Sequence, residues 1–325
     1  MKKFIWPSKV NKTKTQRRTP DVFLLLHLSV TLIVLSCVAC GLNTWIYHYP
    51  GNNYFPPFTG FTGLTLCILH VGVRLMYGSS STECRFSEEL LLFLSIMVIL
   101  AFATNAVQYT PFQPIDNVIL NWETVFPWSI ETMLRMTHRH PFFKEILKIN
   151  YASLDYQMAF LPIVVMISKQ YHVLHRYYQY LLFTTLLGFT CYYFFPTTAP
   201  ASLLNLPYFS DAQYATGLKF TQIHHHLTPT TIEGGLIAFP SFHAIWAILC
   251  VLLVKNIRFL FLPLLLNNTL LILSCVLLGW HYILDIIASF GLVLLSYAAS
   301  IWFNTWANRQ PASANCDSEM TMARR

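Results

Sequence analysis

Two ionisable residues four positions apart, His281 and Asp285, are the pair in this sequence best placed to do chemistry. They open a strongly apolar stretch over residues 281–303. A spacing of four puts both side chains on one face of a helix, within hydrogen-bonding reach. A carboxylate bonded to one imidazole nitrogen fixes the tautomer and makes the other nitrogen a better nucleophile or base. Ionisable groups are costly at membrane depth, so the pair indicates a functional site.

A second apolar stretch carries a hydroxyl and another imidazole, Ser241 and His243. Two histidines, a carboxylate and a serine at similar depth are typical of a reaction centre. Plainer structural interpretations exist for each group. The His281–Asp285 pair could pin two helices together, and Ser241 could simply cap the helix that follows it. The combination of all four favours chemistry, and a serine cap remains compatible with binding phosphate.

The composition is that of a membrane protein. The chain has 325 residues, of which 55% are hydrophobic and 11% charged, whereas soluble domains carry about 25% charged residues. We predict an all-α fold, a polytopic transmembrane helical bundle of about eight spans, because about 20 apolar residues cross the hydrocarbon as a helix. The predicted spans are 22–42, 58–77, 88–108, 153–170, 177–197, 238–254, 259–278 and 281–303.

The distribution of positive charge predicts the orientation. Residues 1–21 form a basic leader that should stay cytoplasmic by the positive-inside rule. On the eight-span map, 16 of the 21 Lys and Arg residues lie at the inner side. Both termini are then cytoplasmic. His243, His281 and Asp285 lie at the outer side of the membrane, which is the organelle lumen, the periplasm or the cell exterior. Topology and anionic inner-leaflet lipid account for the net charge of +7, so no nucleic-acid partner is needed.

The chain divides into a leader at 1–21, a transmembrane catalytic domain at 22–304, and a polar cytoplasmic tail at 305–325 that we expect to be disordered. Two long outer loops, 109–152 and 198–237, are predicted to cap the mouth of the bundle. In the first loop, apolar residues at helical spacing over 141–149 predict a short helix lying in the membrane interface.

The motifs resemble a known family. Pro240-Ser241-Phe242-His243, followed by His281-x-x-x-Asp285, is similar to the second and third motifs of the type 2 phosphatidic acid phosphatase superfamily, which is related to vanadium-dependent haloperoxidases. The segments 193–200 and 237–241 look more like its inositolphosphotransferase branch, which includes inositol phosphorylceramide synthase. The resemblance covers about residues 120–300.

Three positions depart from the phosphatase pattern. Cys275 stands where the third motif has arginine, Gly188 where the first motif has lysine, and Phe242 where the second motif usually has glycine. A phosphate dianion needs compensation in a low-dielectric site, so the missing cations weaken a simple phosphatase interpretation. The inositolphosphotransferase branch also departs from the motifs at these positions, and the resemblance therefore favours that branch. The replacements that we consider are Arg135, Arg139, Lys219 and the histidine run 224–226.

The resemblance implies a mechanism. His281 attacks phosphorus to form a phosphohistidine, while Asp285 orients the ring. His243 protonates the leaving oxygen and then deprotonates the water or alcohol that attacks next. The Ser241 hydroxyl and backbone N–H groups at Ser241 and Phe242 hold phosphate oxygens at a helix N-terminus. This mechanism requires no metal and no cofactor.

We therefore predict a lipid phosphotransferase of the inositolphosphotransferase type, acting on a phospholipid, sphingolipid or isoprenoid phosphate. One alternative is a lipid phosphate or pyrophosphate phosphatase of the same superfamily, in which only the acceptor differs. Another is a non-catalytic lipid-binding or transport protein on the same scaffold. An intramembrane metal oxidase could also use two histidines and a carboxylate, although such sites need more clustered histidines than this sequence offers.

Overall fold

The computed structural model describes residues 20–51, 53, 55–235 and 237–309. The leader predicted at 1–21 and the tail predicted at 305–325 lie mainly outside these residues. The first helix already begins at Pro20, and the last continues to Arg309, so residues 305–309 are helical where we expected disorder.

The described residues form α-helices and contain no strand, as the composition predicts. The twelve helices are α1 (Pro20–Gly41, continued by a π-helical turn at Leu42–Ile46), α2 (Thr59–Tyr77), α3 (Thr82–Val107), α4 (Asp116–Glu123), α5 (Ile130–Arg139), α6 (Pro141–Ile167), α7 (Tyr171–Phe194), α8 (Pro200–Leu203), α9 (Asp211–His224), α10 (Phe242–Leu253), α11 (Arg258–Leu277) and α12 (Ile283–Arg309).

Five of these helices are long and apolar enough to cross a membrane: α1 with its π-helical turn, α2, α3, α11 and α12. The other three predicted spans also correspond to helices, but of a different kind. α6 and α7 are 27 and 24 residues long and more polar, whereas α10 is apolar but has only 12 residues. Length and composition therefore support a polytopic membrane protein with five candidate spans.

The prediction of a separate interfacial helix at 141–149 is wrong. Those residues form the first part of α6, which runs without a break from Pro141 to Ile167. Pro141 stands in the first turn, where its missing N–H costs nothing. The two predicted outer loops also contain helices, since α4 and α5 lie in the first and α8 and α9 in the second.

The core of the bundle forms around α7 and α10. α7 packs against α1, α3, α6, α10 and α12, and α10 packs against α6, α7, α11 and α12. The side chains of Tyr177, Tyr178 and Leu181 on α7 are fully buried. The N-terminus of α10, which carries the Ser241–His243 motif, is consequently surrounded by protein.

Gly188 on α7 and Phe242 on α10 are in close contact. A Cβ atom added at Gly188 would lie 2.7 Å from the Phe242 ring and 3.4 Å from Pro240. The same ring packs edge-on against Phe189, with 4.9 Å between the ring centroids. Two positions at which the sequence departs from the phosphatase motifs therefore compensate each other, because the large side chain fills the space beside the glycine.

We expect Gly188→Ala to destabilise the protein by about 1–3 kcal/mol, because the new methyl group overpacks this contact. The measurement is the thermal unfolding midpoint of the purified protein in detergent. Gly291→Ala on α12 is the matched control, since a Cβ there meets nothing within 4 Å. Equal midpoints for the two variants would contradict a tight Gly188–Phe242 contact.

Candidate active site

Two chain segments meet at one end of the bundle to form the candidate site. The first is the N-terminus of α10, where the Ser241 hydroxyl caps the helix by accepting a hydrogen bond from Ala244 N at 3.3 Å. The second is the turn between α11 and α12. Gly279 has a φ of 77° in that turn, a left-handed conformation that glycine adopts without a steric penalty.

His281 is held by two acceptors on the same nitrogen. Its Nδ1 lies 3.0 Å from the Ala238 carbonyl oxygen and 3.2 Å from Asp285 Oδ2. A carbonyl and a carboxylate only accept, so Nδ1 carries the proton and Nε2 keeps its lone pair. The imidazole is therefore the tautomer whose Nε2 can act as a nucleophile. His281 is 5% exposed, and Asp285 is fully buried.

Asp285 also joins the two motifs to each other. Its Oδ2 accepts a second hydrogen bond, from Tyr282 N at 2.9 Å. Its backbone carbonyl accepts from Ser241 N at 3.4 Å. The Ser289 hydroxyl, one turn further along α12, lies 2.6 Å from that carbonyl and 2.9 Å from the Ser241 carbonyl. The start of α10 is thus fixed to the start of α12.

The second imidazole, His243, lies close to the first. The ring centroids of His243 and His281 are 5.9 Å apart. Tyr151 of α6 stacks on His243 at 4.4 Å, and its hydroxyl is 3.4 Å from His243 Nδ1. Trp280 stacks on Tyr151 at 5.4 Å. The structure therefore brings together His243, His281, Asp285 and Ser241, and adds two aromatic rings that the sequence analysis did not single out.

A cavity of about 460 Å³, a size typical of small-molecule sites, adjoins His243 and the two aromatic rings. His281, Asp285 and Ser241 lie behind these residues and are not among its described lining residues. His243 and Phe242 line it from α10, while Asp155 lines it from α6. Its other lining residues include Tyr151, Trp280, Gly234 and Gly235.

Two carboxylates of α4 support the α11–α12 turn, and the sequence analysis missed both. Asp116 accepts hydrogen bonds from Thr198 N at 2.9 and 3.0 Å and from the Tyr282 hydroxyl at 3.4 Å. Burial raises the pKa of Asp116 to about 6, against the opposing effect of the bonds from Thr198. Glu123 accepts from the backbone N–H groups of Ile283 and Leu284, and so caps α12.

The predicted phosphate-binding residues differ in their surroundings. Ser241 is fully buried, and Phe242 is 6% exposed. Arg135 and Arg139 lie exposed on α5 and do not line the cavity. Lys219 is fully buried, and its Nζ donates to the carbonyl of Gly234, one of the cavity residues, at 3.1 Å.

The histidine run 224–226 is anchored rather than free in a loop. Burial lowers the pKa of His224, and the neighbouring His226 and His225 lower it in the same direction, to about 4. The His224 imidazole is therefore neutral near pH 7. His226 stacks on Tyr49 with 3.9 Å between the rings, and its Nε2 lies 3.1 Å from the Thr110 carbonyl. These contacts give the run a structural role beside any part in binding.

The chain matches a known protein family. The profile of the PAP2 superfamily matches residues 117–299, more than half of the chain. The matched range contains both histidine motifs, together with Glu123, Tyr151 and Lys219. No curated protein and no solved structure matches the chain.

The burial of Lys219 predicts a pH dependence. Desolvation lowers the pKa of the Lys219 ammonium from 10.5 to about 8, and the charge of Glu233 opposes this shift. Between these pH values the unfolded chain binds more protons than the folded one, so this group makes stability rise with pH there. Below pH 8 the cost of burying the charge is fully present.

We therefore expect the thermal midpoint of the wild type, relative to Lys219→Met, to increase as the pH rises from 8 to 10.5. Unfolding would be followed in detergent at several pH values. Lys169→Met, at an exposed position, should keep the wild-type response. A midpoint difference between wild type and Lys219→Met that does not change with pH would contradict the assignment.

Proposed function

The chain belongs to the PAP2 superfamily, and from this premise we propose that it is a lipid phosphotransferase of the inositolphosphotransferase type. Superfamily membership implies an enzyme of the lipid phosphatase or phosphotransferase class, with lipid phosphates as substrates. The observation that carries the proposal is the double anchoring of His281 Nδ1, on Ala238 and Asp285, which leaves Nε2 as the nucleophile.

The reaction takes two displacements at phosphorus. In the first, His281 Nε2 forms a bond to phosphorus, the ester bond to the donor alcohol breaks, and His243 gives its proton to the leaving oxygen. In the second, the acceptor hydroxyl attacks the same phosphorus, His243 takes the hydroxyl proton, and the nitrogen–phosphorus bond breaks. Asp285 stabilises the positive charge that His281 carries between the two steps. The residues need no metal or cofactor for either step.

Two features of the cavity favour an alcohol acceptor over water. Phe242 fills the space beside Gly188, so that this wall is apolar where the phosphatase motifs would supply lysine. Tyr151 and Trp280 add aromatic side chains to the lining, and such a surface packs against the C–H groups of an alcohol better than it binds water. Hydrolysis by the same histidines, as in a lipid phosphatase, is the outcome that the experiment below distinguishes.

We also propose that all eight predicted spans cross the membrane, with both termini cytoplasmic and the histidines towards the outer side. Each predicted span overlaps a long helix or α10. α10 is about 18 Å long by its 1.5 Å rise per residue, against a hydrocarbon core of about 30 Å. Its N-terminus therefore lies within the membrane and below its outer surface.

The assay that tests the function uses the purified full chain in detergent with a panel of labelled phospholipid, sphingolipid and isoprenoid phosphates. It is run with and without alcohol acceptors, in the presence of EDTA. We expect a labelled product only when an acceptor is added, and no product from His281→Ala. His172→Ala is the control and should keep wild-type activity, because His172 is exposed at the start of α7, the end away from Gly188.

Three other results of this assay would change the proposed function or its mechanism. Phosphate release that needs no acceptor and is abolished by His281→Ala would assign a phosphatase. Lipid binding without turnover would assign a non-catalytic protein, and loss of activity in EDTA would contradict the metal-free mechanism.

Asp285→Asn should reduce turnover roughly 10³–10⁴-fold with little change in shape, because an amide can donate to Nδ1 and stabilise the wrong tautomer. The rate is measured with the best donor–acceptor pair from the panel, and the thermal midpoint reports folding. Asp211→Asn, at an exposed position on α9, is the matched control. Retention of more than about a tenth of the wild-type rate would mean that Asp285 does not set the tautomer.

A further inference from the structure

A second cavity lies beside the catalytic cavity, and the two cavities share two lining residues. It has a volume of about 220 Å³. Tyr151 and Trp280 line both cavities. The charged residues in the wall of the second cavity are Lys144 and Lys148, and none of its described lining residues is acidic. We call it the lysine cavity.

One face of α6 leads from the lysine cavity to the catalytic cavity. Lys144, Lys148, Tyr151 and Asp155 follow one another at intervals of four, three and four residues, which places them on the same side of a helix. The two lysines line the lysine cavity, Tyr151 lines both, and Asp155 lines only the catalytic cavity. A molecule that extends along this face would contact both cavities.

The electrostatics of the lysine cavity favour an anion. Lys148 Nζ is 2.7 Å from Glu145, but the two side chains are 49% and 61% exposed. An exposed ion pair contributes little, so an arriving anion can compete with Glu145. The other polar side chains in the wall, Thr137, Tyr208, Ser210 and Gln213, are neutral. The space is sufficient for a phosphate group with several water molecules, each of which takes about 30 Å³.

We propose that the lysine cavity binds a second phosphate-class anion, next to the phosphorus that reacts at His281. This inference rests on the proposed function and narrows its substrate. The donor or the acceptor carries an anionic group in addition to the reacting phosphoester. That group belongs either to a lipid headgroup or to a free phosphorylated polyol, and Lys144 and Lys148 recognise it by charge.

The first test measures binding without turnover. The purified full chain in detergent is titrated with inorganic phosphate at constant ionic strength, and the thermal unfolding midpoint is recorded, since a ligand of the folded state raises it. We expect Lys144→Gln/Lys148→Gln to weaken apparent phosphate affinity by at least an order of magnitude. Lys169→Gln should keep the wild-type affinity. No shift in the wild type, or a shift lost only in His281→Ala, would overturn the proposal.

The second test identifies the source of the anion. The protein is placed in nanodiscs of phosphatidylcholine with or without phosphatidic acid, and the same variants are compared. Stabilisation by phosphatidic acid that the double variant lacks assigns a lipid headgroup. Stabilisation by inorganic phosphate but not by phosphatidic acid, again lost in the double variant, assigns a free phosphorylated compound.

The two proposals fail independently. A protein whose phosphate binding depends on the two lysines but which transfers nothing would refute the proposed function and leave the anion site standing. Normal transfer with phosphate affinity unaffected by Lys144→Gln/Lys148→Gln would refute the lysine cavity alone. If both hold and the donor carries the additional anion, the kcat/KM ratio of phosphatidylinositol phosphate to phosphatidylinositol as donor falls by an order of magnitude in the double variant.

Discussion

The rest of the site depends on the buried carboxylate of Asp285. A carboxylate removed from water is costly, and hydrogen bonds offset part of that cost. Here Oδ2 accepts from both His281 Nδ1 and Tyr282 N, whereas Oδ1 is buried without a hydrogen-bond partner among the described residues. The same residue fixes the second motif, because its backbone carbonyl accepts from Ser241 N. One position therefore determines the tautomer of the nucleophile and the location of the helix that carries His243.

Residues far away in the sequence keep that carboxylate in place. Asp116 contacts the Tyr282 hydroxyl, and Glu123 caps α12 immediately before Asp285. On the opposite side, the Gly188–Phe242 contact sets how closely α7 approaches α10. The short polar helices at this end of the bundle thus hold the ends of long apolar ones. Apolar packing alone specifies position along a helix weakly, whereas these hydrogen bonds specify it residue by residue.

The sequence predicts the local features well, because they depend on neighbouring residues. Each predicted span overlaps one helix, and the spacing of His281 and Asp285 predicts the hydrogen bond that the structure shows. The expectation that both residues lie on one helical face is wrong, because α12 begins at Ile283 and His281 lies in the turn before it. The interfacial helix at 141–149 was predicted wrongly, since the same apolar spacing fits the start of a longer helix such as α6. Asp116 could not be found, because its contact with Tyr282 joins positions 166 residues apart and leaves no local pattern. The superfamily is confirmed by residues 117–299, and the branch remains our proposal.

The central claim, nucleophilic attack by His281, is tested most directly by trapping the covalent intermediate. The wild-type protein would be mixed with a phosphorus-labelled donor lipid without acceptor, quenched rapidly in alkali, in which phosphohistidine survives, and digested for mass spectrometry. The account predicts label on the His281 imidazole and none in His281→Ala. Label on His243 or Ser241 instead would contradict it. So would steady turnover after acceptor is added to a sample that showed no labelled residue when quenched before the addition.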